Sequence, residues 1–252
     1  MRVFSHTCSN TEILCALGCA EMIVGIDTDS DFPPDVVAPL PKLGRDLDLD
    51  VEAALALNPD LVLTSLTVPG HERIVEAFQK AGVRTLVCDP VSLEDVFADI
   101  QNIANAVGVA DRGTALTEKM RSQMPVVTPK AERPRVLLEW WPKPVIAPAR
   151  QSWATDLIHR AGGRNPWADE DAKSVTLTDE QIFAQPPDCV VMSWCGVKAE
   201  NYRPEIVSRR EAWSEIPAVS NQRIIPVTEA YLGRPGPRLV EGYRALRAAL
   251  ET

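Results

Sequence analysis

Trp140-Trp141, Trp194, Arg45 and Arg234 are the residues whose types and positions most suggest binding chemistry in this sequence. The three tryptophans fall at the ends of two strand-like runs. Large rigid rings bury much area at small entropic cost, which suits a flat macrocycle or a catechol-rich ligand; core packing is the alternative reading for each. Adjacent side chains on a strand point opposite ways, so at most one of Trp140 and Trp141 faces a ligand if the strand continues that far. Tyr231 adds a ring with a hydroxyl. Arg45, after Leu43-Gly44, and Arg234, after Leu232-Gly233, carry guanidinium groups that can grip carboxylate or phosphate bidentately or else form surface ion pairs. Ser9 and Asn10, at the start of a predicted helix, either aim backbone N–H groups at an anion or simply cap the helix.

His6, Cys8 and Cys195 also fall at or near strand ends. Thiolate and imidazole ligands select zinc, copper or haem iron, but no Cys-x-x-Cys or His-x-x-x-His spacing supports a metal site, so none is assigned. Cys8 and Cys195 are expected to touch a ligand without coordinating a metal. The six cysteines form no CxxC pair and read as free, mostly buried thiols. There is no G-x-S-x-G elbow, Walker loop, G-x-G-x-x-G or H-E-x-x-H. The enzymatic alternative is a metal- or thiol-based reaction using Cys195 with His6 or His71, and it requires a depressed thiol pKa.

The chain has 252 residues, 45% hydrophobic, with 26 Lys and Arg against 35 Asp and Glu, a net charge of −9. A negative balance of this size disfavours nucleic acid and anionic membrane surfaces as partners. No run approaches the 18 or so apolar residues of a spanning helix. The start, MRVFSHTCSNTEI, passes straight into a strand-like run, with no secretory leader visible. Either a leader was removed, or there never was one and the protein is cytoplasmic if Met1 is the native start.

The elements that must position these residues alternate between strand and helix, the signature of α/β architecture. Ser9-Asn10-Thr11-Glu12 reads as a capping box opening a helix that Gly18 closes. Strands are predicted over Arg2–Ser5, Met22–Ile26, Asp60–Thr64, Arg84–Cys88, Arg135–Glu139, Cys189–Ser193 and Arg223–Val227, and helices over Val51–Leu57, Glu72–Lys80, Trp153–Ala161, Thr178–Ala184, Glu205–Glu211 and Pro237–Leu250. Between Ser92 and Met124 the apolar spacing predicts a long helix with a break near Gly108. An internal repeat organises the whole: Val51–Ser65 aligns without a gap on Asp179–Ser193, each a short helix, a Pro-Asp turn, a buried strand and a terminal serine. In open α/β sheets ligands sit at the carboxyl ends of strands, which adds Ser65 and Leu66 to the candidate residues.

The order of Ser9-Asn10-Thr11-Glu12, Val24-Gly25, Asp31-Phe32-Pro33-Pro34, Asn58-Pro59-Asp60, Gly82-Val83, Ala161-Gly162-Gly163, Pro187-Asp188, Cys195-Gly196 and Arg234-Pro235-Gly236-Pro237-Arg238 resembles the cobalamin and ferric-siderophore binding proteins of ABC importers. The resemblance implies two Rossmann-like lobes joined by a single long helix: residues 1–91, a connecting helix over 92–124, and residues 125–252. It implies no enzyme activity and no intrinsic cofactor. It implies a monomer, periplasmic or otherwise extracytoplasmic, that binds a corrinoid, a ferric siderophore or haem in the interlobe cleft and delivers it to an importer permease and its ATPase. It also implies that Glu72 and Glu205, each in the first turn of a predicted helix, engage the permease; the alternative is that the helix dipole alone favours them there.

Overall fold

The computed structural model describes residues 1–128 and 132–251. The chain divides into two compact units, one formed by Met1–Pro90 with Asp95–Lys119, the other by Val91–Glu94 with Met120–Thr252.

In the first unit β1 (Val3–Ser5), β2 (Ile23–Ile26), β3 (Leu61–Ser65) and β4 (Thr85–Cys88) form a wholly parallel sheet in the order β2-β1-β3-β4. Every residue of β1 and β3 is buried, as expected of strands covered on both faces, whose sequences read as continuous apolar runs. The helix His71–Lys80 buries Ile74, Val75 and Phe78, spaced to lie on one face, and Phe78 meets Phe4 of β1 with ring centroids 5.9 Å apart. The connection from β1 passes to β2 on one side while β3 lies on the other, so the strand order reverses beside β1, the position where open α/β sheets place ligands.

The predicted capping box does not form. The first helix, Cys8–Ala16, is capped by Thr7 without a side-chain bond, and Ser9 and Asn10 lie inside it and are buried. Thr7 takes φ +79, and its N–H donates to Asp27 at 2.9 Å, so backbone geometry at the end of β1 rather than a serine cap starts the helix.

The helical stretch expected over Ser92–Met124 is two helices, Leu93–Ala106 and Ala110–Gln123, and the break falls where Gly108 adopts φ +80. The second helix turns back beside the first: Glu94 pairs with Arg121, Thr114 donates to Gln101, and a Cβ on Gly113 would stand 2.5 Å from that of Ala104.

In the second unit β5 (Val136–Glu139), β9 (Cys189–Met192) and β10 (Ile224–Pro226) form a parallel sheet in the order β10-β9-β5. An antiparallel sheet of β6 (Trp141–Pro142), β7 (Val145–Pro148) and β8 (Ser174–Leu177), absent from the sequence reading, is inserted between β5 and β9. The helix predicted over Glu205–Glu211 is one turn, Glu205–Ser208.

The internal repeat is real down to its hydrogen bonds. Asp60, just before β3, accepts from the backbone N–H of Arg2 at 2.7 Å, and Asp188, just before β9, accepts from that of Arg135 at the same distance. Arg2 and Arg135 each immediately precede the neighbouring strand, and their carbonyls accept from Asp60 and Asp188 at 2.8 Å. The Pro-Asp turn thus pins the register of a parallel pair, Val3 with Leu61 and Val136 with Cys189.

Candidate functional site

In the first unit the carboxyl ends of β1, β2 and β3 gather His6, Cys8, Arg45, Ser65 and Leu66. His6 is wholly buried. Its Nε2 lies 2.8 Å from the Asp46 carbonyl, which only accepts, so Nε2 carries the hydrogen and Nδ1 accepts from the Thr64 hydroxyl at 2.8 Å. Burial, and to a lesser degree the neighbouring His71, push its pKa down to about 4, against the opposing bond to Asp46. The two imidazoles meet edge to face, centroids 5.0 Å apart. His71 in turn lies 3.5 Å from the Asp46 carboxylate and 3.4 Å from the Ser65 hydroxyl, and it holds the Asp46 carboxyl below its ordinary range. His71, named in the sequence only as a dyad partner, is thus built into this end of the sheet.

Asn10 braces the end of β1. It is buried, its amide donates to the His6 carbonyl at 2.9 Å, and its side-chain oxygen has no hydrogen-bond partner among the described residues. Cys8 is half-buried, with its thiol directed at the Asp29 carbonyl. Arg45 is the outward group: its side chain is 68% exposed and pairs with Asp29 at 3.1 Å. Asp29 itself belongs to a loop folded around Asp27, whose buried carboxylate accepts from the N–H groups of Thr7, Asp29 and Ser30. Leu66 is half-buried and bonded to β4 through its N–H.

In the second unit the two adjacent tryptophans part company. Trp140 is half-buried, its ring centroid 6.3 Å from that of Trp153, and its indole N–H is buried without a hydrogen-bond partner among the described residues. Trp141 is 41% exposed and donates to the Lys143 carbonyl. The Cys195 N–H donates to the Trp140 carbonyl at 3.0 Å, joining the ends of β5 and β9. Beyond β10, Arg234 pairs with Glu229 at 2.8 Å, and Arg238, the last residue of the Arg-Pro-Gly-Pro-Arg run, lies 5.7 Å from the Tyr231 ring centroid. Gly242 sets this segment: a Cβ there would stand 2.2 Å from the Tyr231 carbonyl oxygen, so only glycine lets the last helix approach so closely.

Trp194 corrects the sequence reading. It is 4% exposed and packs in the core against Tyr202, centroids 5.5 Å apart, and its indole donates to the buried carboxylate of Glu139 at 2.9 Å. A ring so placed holds the strand ends together and presents no face to a ligand. Trp153, Trp167 and Trp213 are buried as well.

The thiol-enzyme alternative fails on chemistry. Burial and the Glu229 carboxylate push the Cys195 thiol up to about 12, opposite to what a nucleophile needs. No group of three or more His, Cys, Asp or Glu placed to hold a metal ion is found among the described residues.

Glu72 and Glu205 are both exposed at the first turns of their helices. Glu72 also accepts from the Gly70 N–H at 2.7 Å, so it serves its own helix start.

The chain is similar to known proteins in sequence and in structure. An ABC transporter substrate-binding lipoprotein of Bacillus subtilis, YvrC, itself uncharacterized, is 31% identical over 99% of this chain and 79% of its own. The vitamin B12-binding protein of Vibrio parahaemolyticus is 23% identical over 94% of this chain and 84% of its own. The periplasmic haem-binding protein RhuT from Roseiflexus, in apo form, superposes with a TM-score of 0.81 over 99% of this chain and 98% of its own, at 26% identity. The periplasmic binding protein family model matches residues 3–231. With β1 through the Tyr231 segment inside that match, the chain belongs to the periplasmic binding protein family.

Proposed function

We propose that this protein is the substrate-binding component of an ABC importer and that its cargo is a metal-bearing macrocycle or chelate, a corrinoid, ferric siderophore or haem. The observation that carries the reading is the set of groups at the carboxyl ends of the strands: an exposed guanidinium, Arg45, in one unit, and Trp140 and Tyr231 with Arg234 and Arg238 in the other. Aromatic faces bury a flat ligand and guanidinium groups hold its carboxylate, phosphate or hydroxamate oxygens. The protein supplies binding rather than catalysis. It works outside the cytoplasmic membrane, a reading supported by its likeness to a periplasmic haem-binding protein, and acts as a monomer. A net charge of −9 disfavours nucleic acid as a partner.

Glu72 and Glu205 are the groups proposed to meet the permease, which couples to its ATPase. Glu72→Lys combined with Glu205→Lys is expected to abolish coupled transport and leave ligand affinity unchanged.

The test is the absorption spectrum and mass of whatever copurifies, followed by titration with cobalamin, haem and ferric hydroxamates read by tryptophan fluorescence. One of the three is expected to bind saturably. Trp140→Ala is expected to weaken it several-fold, roughly the 0.5–1.5 kcal/mol of one aromatic contact, while Trp194→Phe leaves it within about twofold. Failure of all three ligands to bind would sink the reading.

A further inference from the structure

The amino ends of the second unit's strands carry a cluster that ligand capture at the carboxyl ends does not use. A cavity of about 450 Å³ opens there, lined by Arg133, Arg135, Arg164 and Arg223 with Glu132 and Asp188. Arg135, Asp188 and Arg223 each stand one residue before β5, β9 and β10, and Arg164 bridges to Arg135 at the edge of the same sheet. The strand register therefore places these side chains, at the opposite end of the sheet from Trp140, Cys195 and Tyr231.

The charges at this cavity are unevenly matched. Asp188 is hydrogen-bonded to Arg135, accepting from its backbone N–H at 2.7 Å and from its guanidinium at 3.2 and 3.3 Å, and it also lies in the field of the Arg223 charge. The other three arginines form no ion pair with a carboxylate among the described residues. Arg133 donates to the carbonyls of His159 at 2.8 Å and Gly163 at 3.4 Å. Arg223 donates one terminal nitrogen to the Ala249 carbonyl at 2.7 Å, and its Nε is buried without a hydrogen-bond partner. Arg164 is exposed, with no side-chain partner among the described residues. Carbonyl oxygens satisfy N–H groups but cancel no charge, so four guanidiniums face two carboxylates around one concavity in a protein that is strongly acidic overall.

We propose that this cavity is a second binding site, for a small phosphate-bearing anion of two or more negative charges. The planar guanidinium fork matches phosphate oxygens bidentately, and the volume lies in the range of small-molecule sites, about 300–1,000 Å³. The phosphate belongs either to a free phosphorylated metabolite or to a phospholipid headgroup.

Calorimetric titration of the intact protein with inorganic pyrophosphate at low ionic strength tests the site. Saturable binding to one site is expected, weakened at least about tenfold by Arg164→Glu and less by Arg164→Lys. Arg84→Glu, an equal charge change in the first unit, should leave it unchanged. Arg164 is exposed, and an unaltered unfolding curve checks that its variants fold. Flotation with phosphatidylglycerol vesicles separates the two sources: Arg164-dependent flotation that pyrophosphate competes away identifies a headgroup, and its absence beside pyrophosphate binding identifies a soluble ester. No saturable binding of either probe, or equal weakening by Arg84→Glu, overturns the proposal.

Discussion

Arg210 reaches the wholly buried carboxylate of Glu139 through both terminal nitrogens, at 2.7 and 3.1 Å, although 71 residues separate them. The same carboxylate accepts from the Trp194 indole, and the guanidinium lies 4.2 Å from the Trp213 ring centroid. The carboxyl ends of β5 and β9 are thereby locked before any ligand arrives.

Removing one partner of such a pair leaves the other buried and uncompensated, at a cost of about 3–5 kcal/mol. Arg210→Met is therefore expected to lower the unfolding midpoint strongly, and Glu139→Leu with Arg210→Met to recover much of the loss. Urea denaturation followed by tryptophan fluorescence checks this. Equal destabilisation by the single and double variants would show that the pair, rather than the orphaned carboxylate, sets the cost.

This cluster marks where the sequence stopped being legible. The strands and the repeat could be read because parallel-sheet strands are unbroken apolar runs, and because the Pro59-Asp60 and Pro187-Asp188 turns recur at matched positions. The break near Gly108 could be read from composition, but the reversal of the second helix depends on Gly113 against Ala104, a packing fact with no local signature. Ser9 to Glu12 imitated a cap because nothing local reveals that Thr7 adopts a left-handed backbone. Trp194 looked like a ligand contact because an aromatic at a strand end reads the same whether its ring meets a ligand or a buried glutamate. Glu139, His71 and Arg210 found their partners only through the fold.

His6 gives the protein a pH dependence of known sign. Burial lowers its pKa from the ordinary 6.5 to about 4, so below pH 6.5 the unfolded chain takes up a proton that the folded chain refuses. The stability contributed by the neutral ring is complete above that pH and is lost progressively as pH falls from about 6.5 to about 4, a total of about 3 kcal/mol. Unfolding free energies measured at pH 7 and at pH 4.5 should differ less in His6→Gln than in the parent. Asp27, raised by burial, and Asp46, lowered by His71, add their own slopes. Asp27 contributes alike to both proteins, so a difference between them reports the His6–His71–Asp46 group. Parallel pH profiles would mean that His6 titrates normally in the fold.

Cys195 supplies the remaining prediction, because access and reactivity point in opposite directions there. The residue as a whole is exposed, yet burial around its sulfur, and after that the Glu229 carboxylate, push the thiol up to about 12. Only the thiolate attacks, so at neutral pH the reactive fraction falls roughly a thousandfold below that of an ordinary cysteine. Iodoacetamide is expected to label Cys195 far more slowly than it labels glutathione at pH 8, with mass spectrometry of the peptide as the readout. Glu229→Gln removes the second cause and should quicken labelling without bringing it to the free-thiol rate, since burial persists. Arg234 loses its carboxylate partner in that variant, which moves the local charge in the same direction. Rapid alkylation of the parent protein would show that the sulfur is solvated and anionic, and would return the thiol to consideration as a nucleophile.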